Sequence, residues 1–273
     1  MTFNADDFKQ FKNFIVSEIE EGFVHIQFNN PKTLNAFADQ DWKDYYEILV
    51  RLDADPETNV ILISSTVPKA FSSGLNLKDA LATMSSAGEG HDTIRFKKLH
   101  DHIADFQYCI GTPARINTPT IALLNGINYG LALDIAAATT IRVATADARF
   151  SIREIKIGIS ADIGSLQRMP NIVNNKSLLF QHALTGDVFK ADEALNLGFV
   201  SKIVADIPAG LEYCKELGSD INGHQQWAIK GTKKHIQDII DNKPVEEGLK
   251  DIRNYNATHI NGKFLEGIRA VKL

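Results

Sequence analysis

The chain has 273 residues, 44% of them hydrophobic and 23% charged, with a formal net charge of −5. These ordinary globular values exclude wholesale disorder, no apolar run approaches the roughly 18 to 20 residues that cross a bilayer, and the acidic balance argues against a nucleic-acid binder. Cys109 and Cys214 are too few and too far apart for a disulfide framework or a zinc ligand set, and the eight histidines form no pair at metal-ligand spacing, so no metal site is expected.

The first residues, MTFNADDFKQFKNF, carry acidic groups and no Arg-rich amphipathic pattern, so a cleaved mitochondrial presequence is not expected. From Phe14, FIVSEIEEGFVHIQF reads as a hairpin turning at Glu-Glu-Gly, with Val24, Ile26 and Phe28 alternating against His25 and Gln27. NNPKTLNAF follows as a loop, and DQDWKDYYEILVRLDAD places Trp42, Tyr45, Tyr46, Leu49 and Leu52 at helical spacing, with Asp39 or Asp41 as the cap. NVILISS is a continuous apolar run, the form of a strand covered on both faces.

KAFSSGLNLKDAL is a loop leading into a helix, and the polar stretch Ser85 to Asp92 separates it from a longer helix reaching about Gly111. The arrangement then repeats: TPTIALLNG is a strand, INYGLALDIAAAT a turn entering a small-residue helix, and TIRVATADARF a return to strand. From about Ala191 the pattern turns mostly helical, so an α/β core followed by a helical carboxyl-terminal part is expected.

Two glycine-bearing loops precede helices in equivalent places, FSSGLNLKDA and NYGLALDIAA. Such turns expose unpaired N–H groups at the positive end of a helix dipole, and two of them converging make an oxyanion hole; plain turn chemistry is the other reading. Further on, EIKIGISADIGSLQRMP sets Glu154 and Asp162 eight residues apart around an apolar, glycine-containing turn, where ionised groups are costly unless paired or used. Either Glu154 pairs with Arg153 or Lys156 on the surface and Asp162 is a turn or N-cap residue, or both acids face a pocket and move protons. Asp134 reads by itself as a first-turn residue favoured by the helix dipole.

Taken in order, NNPKTLNAF, KAFSSGLNLKDA, NGINYGLALDIAAATTIRVAT, ARFSIREIKIGISADIGSLQRMP and TGDVFKADEALNLGFVSKIV resemble the enoyl-CoA hydratase/isomerase (crotonase) superfamily over roughly Phe23 to Val204. Within it the chain is most similar to the Δ3,5-Δ2,4-dienoyl-CoA isomerases, whose three acidic residues fall here on Asp134, Glu154 and Asp162. The resemblance implies an α/β fold, a crotonase-type spiral of β-β-α repeats over residues 1–200, with a helical trimerisation region over 201–273. It implies isomerisation of 3,5-dienoyl-CoA to 2,4-dienoyl-CoA in β-oxidation of unsaturated fatty acids. Glu154 is then assigned to the C2 proton and Asp162 to C6, with Asp134 tuning or orienting them.

By the same resemblance the backbone N–H groups of Leu75 and Leu131 form the oxyanion hole, although most relatives carry Gly-Gly-Gly where this chain reads Gly130-Leu131-Ala132. Ala36, Ser73, Gly74, Asn76, Leu77 and Lys78 fall at substrate-binding positions. Lys32, Lys78 and the cluster Lys230, Lys233, Lys234 are candidates for the coenzyme A phosphates, the cluster reaching a neighbouring subunit. No cofactor is implied beyond the coenzyme A of the substrate, and a homotrimer or dimer of trimers is expected. The Val271-Lys272-Leu273 ending, one residue from a peroxisomal address, makes peroxisome the expected compartment and cytoplasm the alternative. The alternative activities are a Δ3,Δ2-enoyl-CoA isomerase, an enoyl-CoA hydratase and a catalytically silent acyl-CoA-binding protein.

Overall fold

The computed structural model describes residues 3–81 and 92–260, so the polar stretch from Ser85 up to Asp92 and the Val271-Lys272-Leu273 ending lie outside the described residues. The hairpin forms where the alternation puts it. Strands β1 (Phe14–Glu20) and β2 (Phe23–Phe28) pair antiparallel across Glu21 and Gly22, with Phe14 opposite Phe28. Strand β2 then pairs parallel with β3 (Val60–Ser65), β3 with β5 (Thr120–Leu124), and β5 with β7 (Ile141–Thr145).

The sheet is completed by β10 (Lys202–Val204), which lies parallel to β7, and its order is β1-β2-β3-β5-β7-β10. The strands passed over, β4 (Ala70–Ser72), β6 (Ile127–Tyr129) and β8 (Arg149–Ser151), join β9 (Phe189–Lys190) in a second, four-stranded sheet. The chain thus gives one strand to each sheet in turn, β3 then β4, β5 then β6, β7 then β8. With the helix Leu131–Ala138 after β6, this is a spiral of β-β-α repeats.

Alternate residues of the central strands enter two separate cores, as a sheet covered on both faces requires. Ile61, Ile63, Ala122 and Leu124 join the large cluster beneath the second sheet, whereas Val60, Leu62, Ile121 and Leu123 join a smaller one with Cys214 on the helix Ile207–Asn222. That helix comes close because Gly218 carries no side chain: a Cβ there would lie 2.1 Å from the ring of Phe23.

The helix Asp39–Ala54 forms at the predicted place, but its amino terminus is held by Asp41 rather than Asp39. Asp41 Oδ2 accepts from the N–H of Ala38 at 2.7 Å while Oδ1 accepts from Asn13 Nδ2 at 2.7 Å. Against this helix packs a second, Asp92–Ile110, through Trp42 stacked on Phe106 with centroids 5.1 Å apart and Tyr46 tilted against Tyr108 at 5.5 Å.

One expectation for the carboxyl-terminal helices is overturned. Lys233, in the helix Gln226–Ile240, is buried, and its ammonium donates to the carbonyls of Pro113 and Ala114, both at 2.9 Å, and to that of Ile116. Three carbonyls in a fixed turn satisfy all three donors, so this lysine serves the core and has none left for a phosphate. Burial pushes its ammonium down to about 8. Its neighbour Lys234 pairs with Asp238 at 2.6 Å.

Candidate active site

Parallel strands β4, β6 and β8 all end on one side of the second sheet, and their carboxyl-terminal exits meet at one pocket of about 780 Å³. The exit of β4 supplies Ser73, Gly74 and Leu75, that of β6 supplies Gly130 and Leu131, and that of β8 supplies Arg153 and Glu154. Ligand sites of parallel sheets gather at strand carboxyl ends for this reason: the loops there are free to carry chemistry on a rigid base.

The first two exits touch. Gly74 has φ +102°, and a Cβ on it would stand 2.6 Å from the carbonyl oxygen of Tyr129 and 3.6 Å from the nitrogen of Leu131. Residues 74–76 are tied to Phe37, whose N–H donates to Gly74 O at 2.8 Å and whose carbonyl accepts from Asn76 N at 2.8 Å. Successive N–H groups of an extended chain point to opposite sides, so that of Leu75 points away from Phe37. Leu131 opens its helix, and its N–H has no acceptor within that helix. Gly130 precedes it with φ +54° and ψ −118°, a conformation that suits glycine alone. Of the pair Leu131-Ala132, Ala132 is buried in the core and Leu131 joins the same core while bordering the pocket.

All three predicted acids line this pocket. Asp134 is 1% exposed, sits in the first turn of its helix, and accepts from the N–H of Ser165 at 2.6 Å. Ser165 opens the helix Ser165–Ile172, so the carboxylate lies near two helix amino termini. Burial, and then the charge of Glu154, still push Asp134 up to about 7. Glu154 lies against Gly130, where a Cβ would be 3.1 Å from Oε1. Among the described residues nothing donates to its buried Oε2. Burial raises the Glu154 carboxyl, and the neighbouring charge of Asp162 raises it further; burial also raises Asp162.

Two of the surface readings, the Arg153 pair and the Asp162 cap, do not match the geometry. Arg153 lies over the ring of Tyr129 at 4.6 Å, and the N-cap of the helix Ser165–Ile172 is Gly164. Asp162 is positioned through its backbone, its carbonyl accepting from Gln107 Nε2 at 2.5 Å.

A pH effect follows from Asp134. The folded state binds this proton more tightly than the unfolded chain, so the stability it contributes is present at low pH and is lost as pH rises through about 7. Asp134→Asn keeps an acceptor for Ser165 without the charge. From about pH 5 to pH 8 the wild type is expected to lose roughly 3 kcal/mol more than the variant. Urea denaturation at the two pH values reads this difference, and parallel losses would refute it.

Of the predicted substrate-binding residues, Ser73, Gly74 and Leu77 line the pocket; Ala36, Asn76 and Lys78 do not. Asn76 uses its side chain to accept from the N–H of Lys78 at 3.2 Å. Lys32 and Lys78 are exposed away from the pocket lining, and the cations that do border it are Lys98, Arg153 and Lys156. The fourth wall is the helix Asp92–Ile110, through Leu99, His102, Ile103 and Phe106. These stand at i, i+3, i+4 and i+7, so the amphipathic spacing that marks one helix face was present in the sequence.

A family model described as enoyl-CoA hydratase/isomerase matches residues 18–272. A Mus musculus protein named mitochondrial Delta(3,5)-Delta(2,4)-dienoyl-CoA isomerase is 30% identical over 247 residues, which cover 90% of this chain and 75% of that one. The peroxisomal protein of the same name from Arabidopsis thaliana is 31% identical over 239 residues, 87% of this chain and 85% of that one. Among solved structures, an enoyl-CoA hydratase from Bacillus anthracis aligns with a TM-score of 0.82 at 22% identity over 95% of each chain, a likeness of fold.

Proposed function

The chain belongs to the enoyl-CoA hydratase/isomerase family with the crotonase-type α/β fold, and on that premise we propose that it converts 3,5-dienoyl-CoA to 2,4-dienoyl-CoA. The observation that carries this reading is that Glu154 and Asp162 border one pocket, with Asp134 buried beside Glu154. Removing a proton from C2 and returning one at C6 takes place at opposite ends of a conjugated dienolate. One carboxylate does not readily reach both ends, and two around a turn do.

Ionised Glu154 takes the C2 proton through Oε2, which has no donor among the described residues. Negative charge spreads from the thioester oxygen to C6, and the N–H groups of Leu75 and Leu131 stabilise it at the oxygen. Protonated Asp162 delivers to C6, leaving the product, a protonated Glu154 and an ionised Asp162. Return of that proton from Glu154 to Asp162 resets the site. Coupled carboxylates in an apolar pocket favour a single shared proton over two charges, which suits this cycle. Every proton moves between groups of the chain, so the reaction as written needs no cofactor. Lys98, Arg153 and Lys156 are the groups we assign to the coenzyme A phosphates.

The test is the absorbance of conjugated 2,4-dienoyl product from 3,5-octadienoyl-CoA. Turnover is expected; conversion of 3-enoyl-CoA alone would favour a Δ3,Δ2-enoyl-CoA isomerase and remove the role of Asp162. Hydration of 2-enoyl-CoA alone would favour a hydratase.

We read the assembly as a homotrimer or dimer of trimers, supported by exposed Ile236, Val245 and Leu249 on the last two described helices. The compartment we assign is the peroxisome, with a parallel in the Arabidopsis thaliana relative, whereas the mouse relative is named mitochondrial. Light scattering that gives a monomer would overturn the first reading, and failure of an amino-terminally tagged chain to colocalise with a peroxisomal marker would overturn the second.

A further inference from the structure

Asp162 is carried by a stretch with no backbone ladder of its own. Before it, the N–H of Ile159 donates to the carbonyl of Glu154 at 3.2 Å; after it, Gly164 caps the helix Ser165–Ile172. Between them, from Ser160 to Ile163, no main-chain group pairs with another main-chain group among the described residues. Ala161 and Ile163, on either side of Asp162, are buried in the large core and anchor the stretch at two points. Apolar packing has no direction, so it holds these residues in place without setting how the peptide between Asp162 and Ile163 is turned.

That peptide is fixed from a neighbouring helix. Gln107 Nε2 donates to the carbonyl of Asp162 at 2.5 Å, and Gln107 stands on the helix Asp92–Ile110, directly after Phe106 and one turn beyond Ile103, both in the pocket wall. The next carbonyl, that of Ile163, has Arg168 Nη1 at 3.5 Å, beyond the usual range of an N–H···O bond. Gln107 is therefore the one close donor to the carbonyls of this stretch among the described residues. A residue has two soft backbone angles, so pinning the carbonyl of Asp162 between packed neighbours leaves its side chain one direction of departure. An amide suits the place: it donates without charge, and so orients the acid without favouring its ionised form.

We propose that Gln107 is a positioning residue for the C6 proton transfer, aiming the Asp162 carboxyl by tying its main chain to the pocket wall. This rests on the dienoyl-CoA reading given above and deepens it by one residue. Proton delivery depends on aim, and a misplacement of about 1 Å costs up to about 100-fold in rate. Glu154 belongs to a different local element, the short helical turn Glu154–Ile157, so the C2 step does not depend on the tether. Loss of Gln107 therefore separates the two proton transfers.

The experiment compares wild type, Gln107→Met and Gln107→His on 3,5-octadienoyl-CoA in deuterated solvent, reading kcat, KM and the deuterium at C2 of recovered substrate. Methionine keeps the length of the side chain without a donor, whereas histidine keeps an N–H at a similar reach. Gln107→Met is expected to lower kcat about 10- to 100-fold with KM within about 2-fold, and to raise C2 exchange per product formed by the factor that kcat falls. Gln107→His should recover most of kcat. The side chain is exposed, so the urea midpoint of either variant should stay near that of wild type. Unchanged kcat in Gln107→Met, exchange and product falling together, or a loss that histidine does not restore overturns the proposal.

Crystal structures of wild type and Gln107→Met give the same comparison without turnover. The Asp162 carbonyl is expected to turn in the variant and its carboxyl to leave the wild-type position; an unmoved Asp162 overturns the proposal as well. Absent dienoyl turnover in wild type, with Asp162 displaced in the variant, would sink the reaction and leave Gln107 as the residue that places this acid.

Discussion

Glu154→Gln is expected to lower kcat by about 10²- to 10⁴-fold with little change in KM, the signature of a group that acts on the proton in transit. The substitution keeps the shape beside Gly130 and removes only the basic oxygen, whose buried Oε2 has no donor among the described residues. Asp162→Asn should reduce product formation by a similar factor, yet the two variants should part company in deuterated solvent. With Glu154 intact, Asp162→Asn still exchanges the C2 hydrogen with solvent while product fails to accumulate. Glu154→Gln loses exchange and product together. The opposite pattern would interchange the two roles, and undiminished product formation in either variant would remove that residue from the mechanism.

The second large effect belongs to a residue with no side chain. Gly74→Ala is expected to cost about 10²- to 10³-fold in kcat, the usual size of losing one oxyanion donor. A Cβ at this position would meet the carbonyl of Tyr129 at 2.6 Å, and that carbonyl belongs to the turn presenting the N–H of Leu131. Backbone on both sides leaves no flexible atom to yield, so the two donor loops must separate. Gly198→Ala is the control, because Gly198 also has positive φ, at +77°, but among the described residues a Cβ there would come no nearer than 3.7 Å to any atom beyond its chain neighbours. It should lose about 1 kcal/mol of stability through backbone strain and keep full kcat. Equal activity losses in the two variants would assign the effect to strain alone.

The parts of the molecule legible in the sequence are those where local pattern and tertiary role agree. VILISS announces a strand buried on both faces, and the alternation of FVHIQF announces the second arm of the hairpin. Glu154 and Asp162 stood out because carboxylates in an apolar stretch demand an explanation, and the resemblance brought in Asp134. Lys233 was misread because nothing local distinguishes it from a solvated lysine; its burial is decided by carbonyls well over a hundred residues earlier in the chain. Strand β10 is three residues long, too short to display a period, and is defined by its pairing with β7. The pocket face of the helix Asp92–Ile110 is different: its spacing is there in the sequence, but the same spacing marks a helix face packed on a core, and only the cavity beside it tells the two apart.

The tripod of carbonyls around Lys233 bears on how separable the carboxyl-terminal helices are. The turn at Thr112–Arg115 follows directly on the helix that walls the pocket, and the donor for its carbonyls comes from the helix Gln226–Ile240. Detaching that helix strands three acceptors at the foot of the pocket wall and exposes a cation that had been held by their dipoles and by the charges of Asp53 and Asp241. The two segments therefore share one seam and loosen as a unit, which makes the late helices a structural guarantor of the pocket.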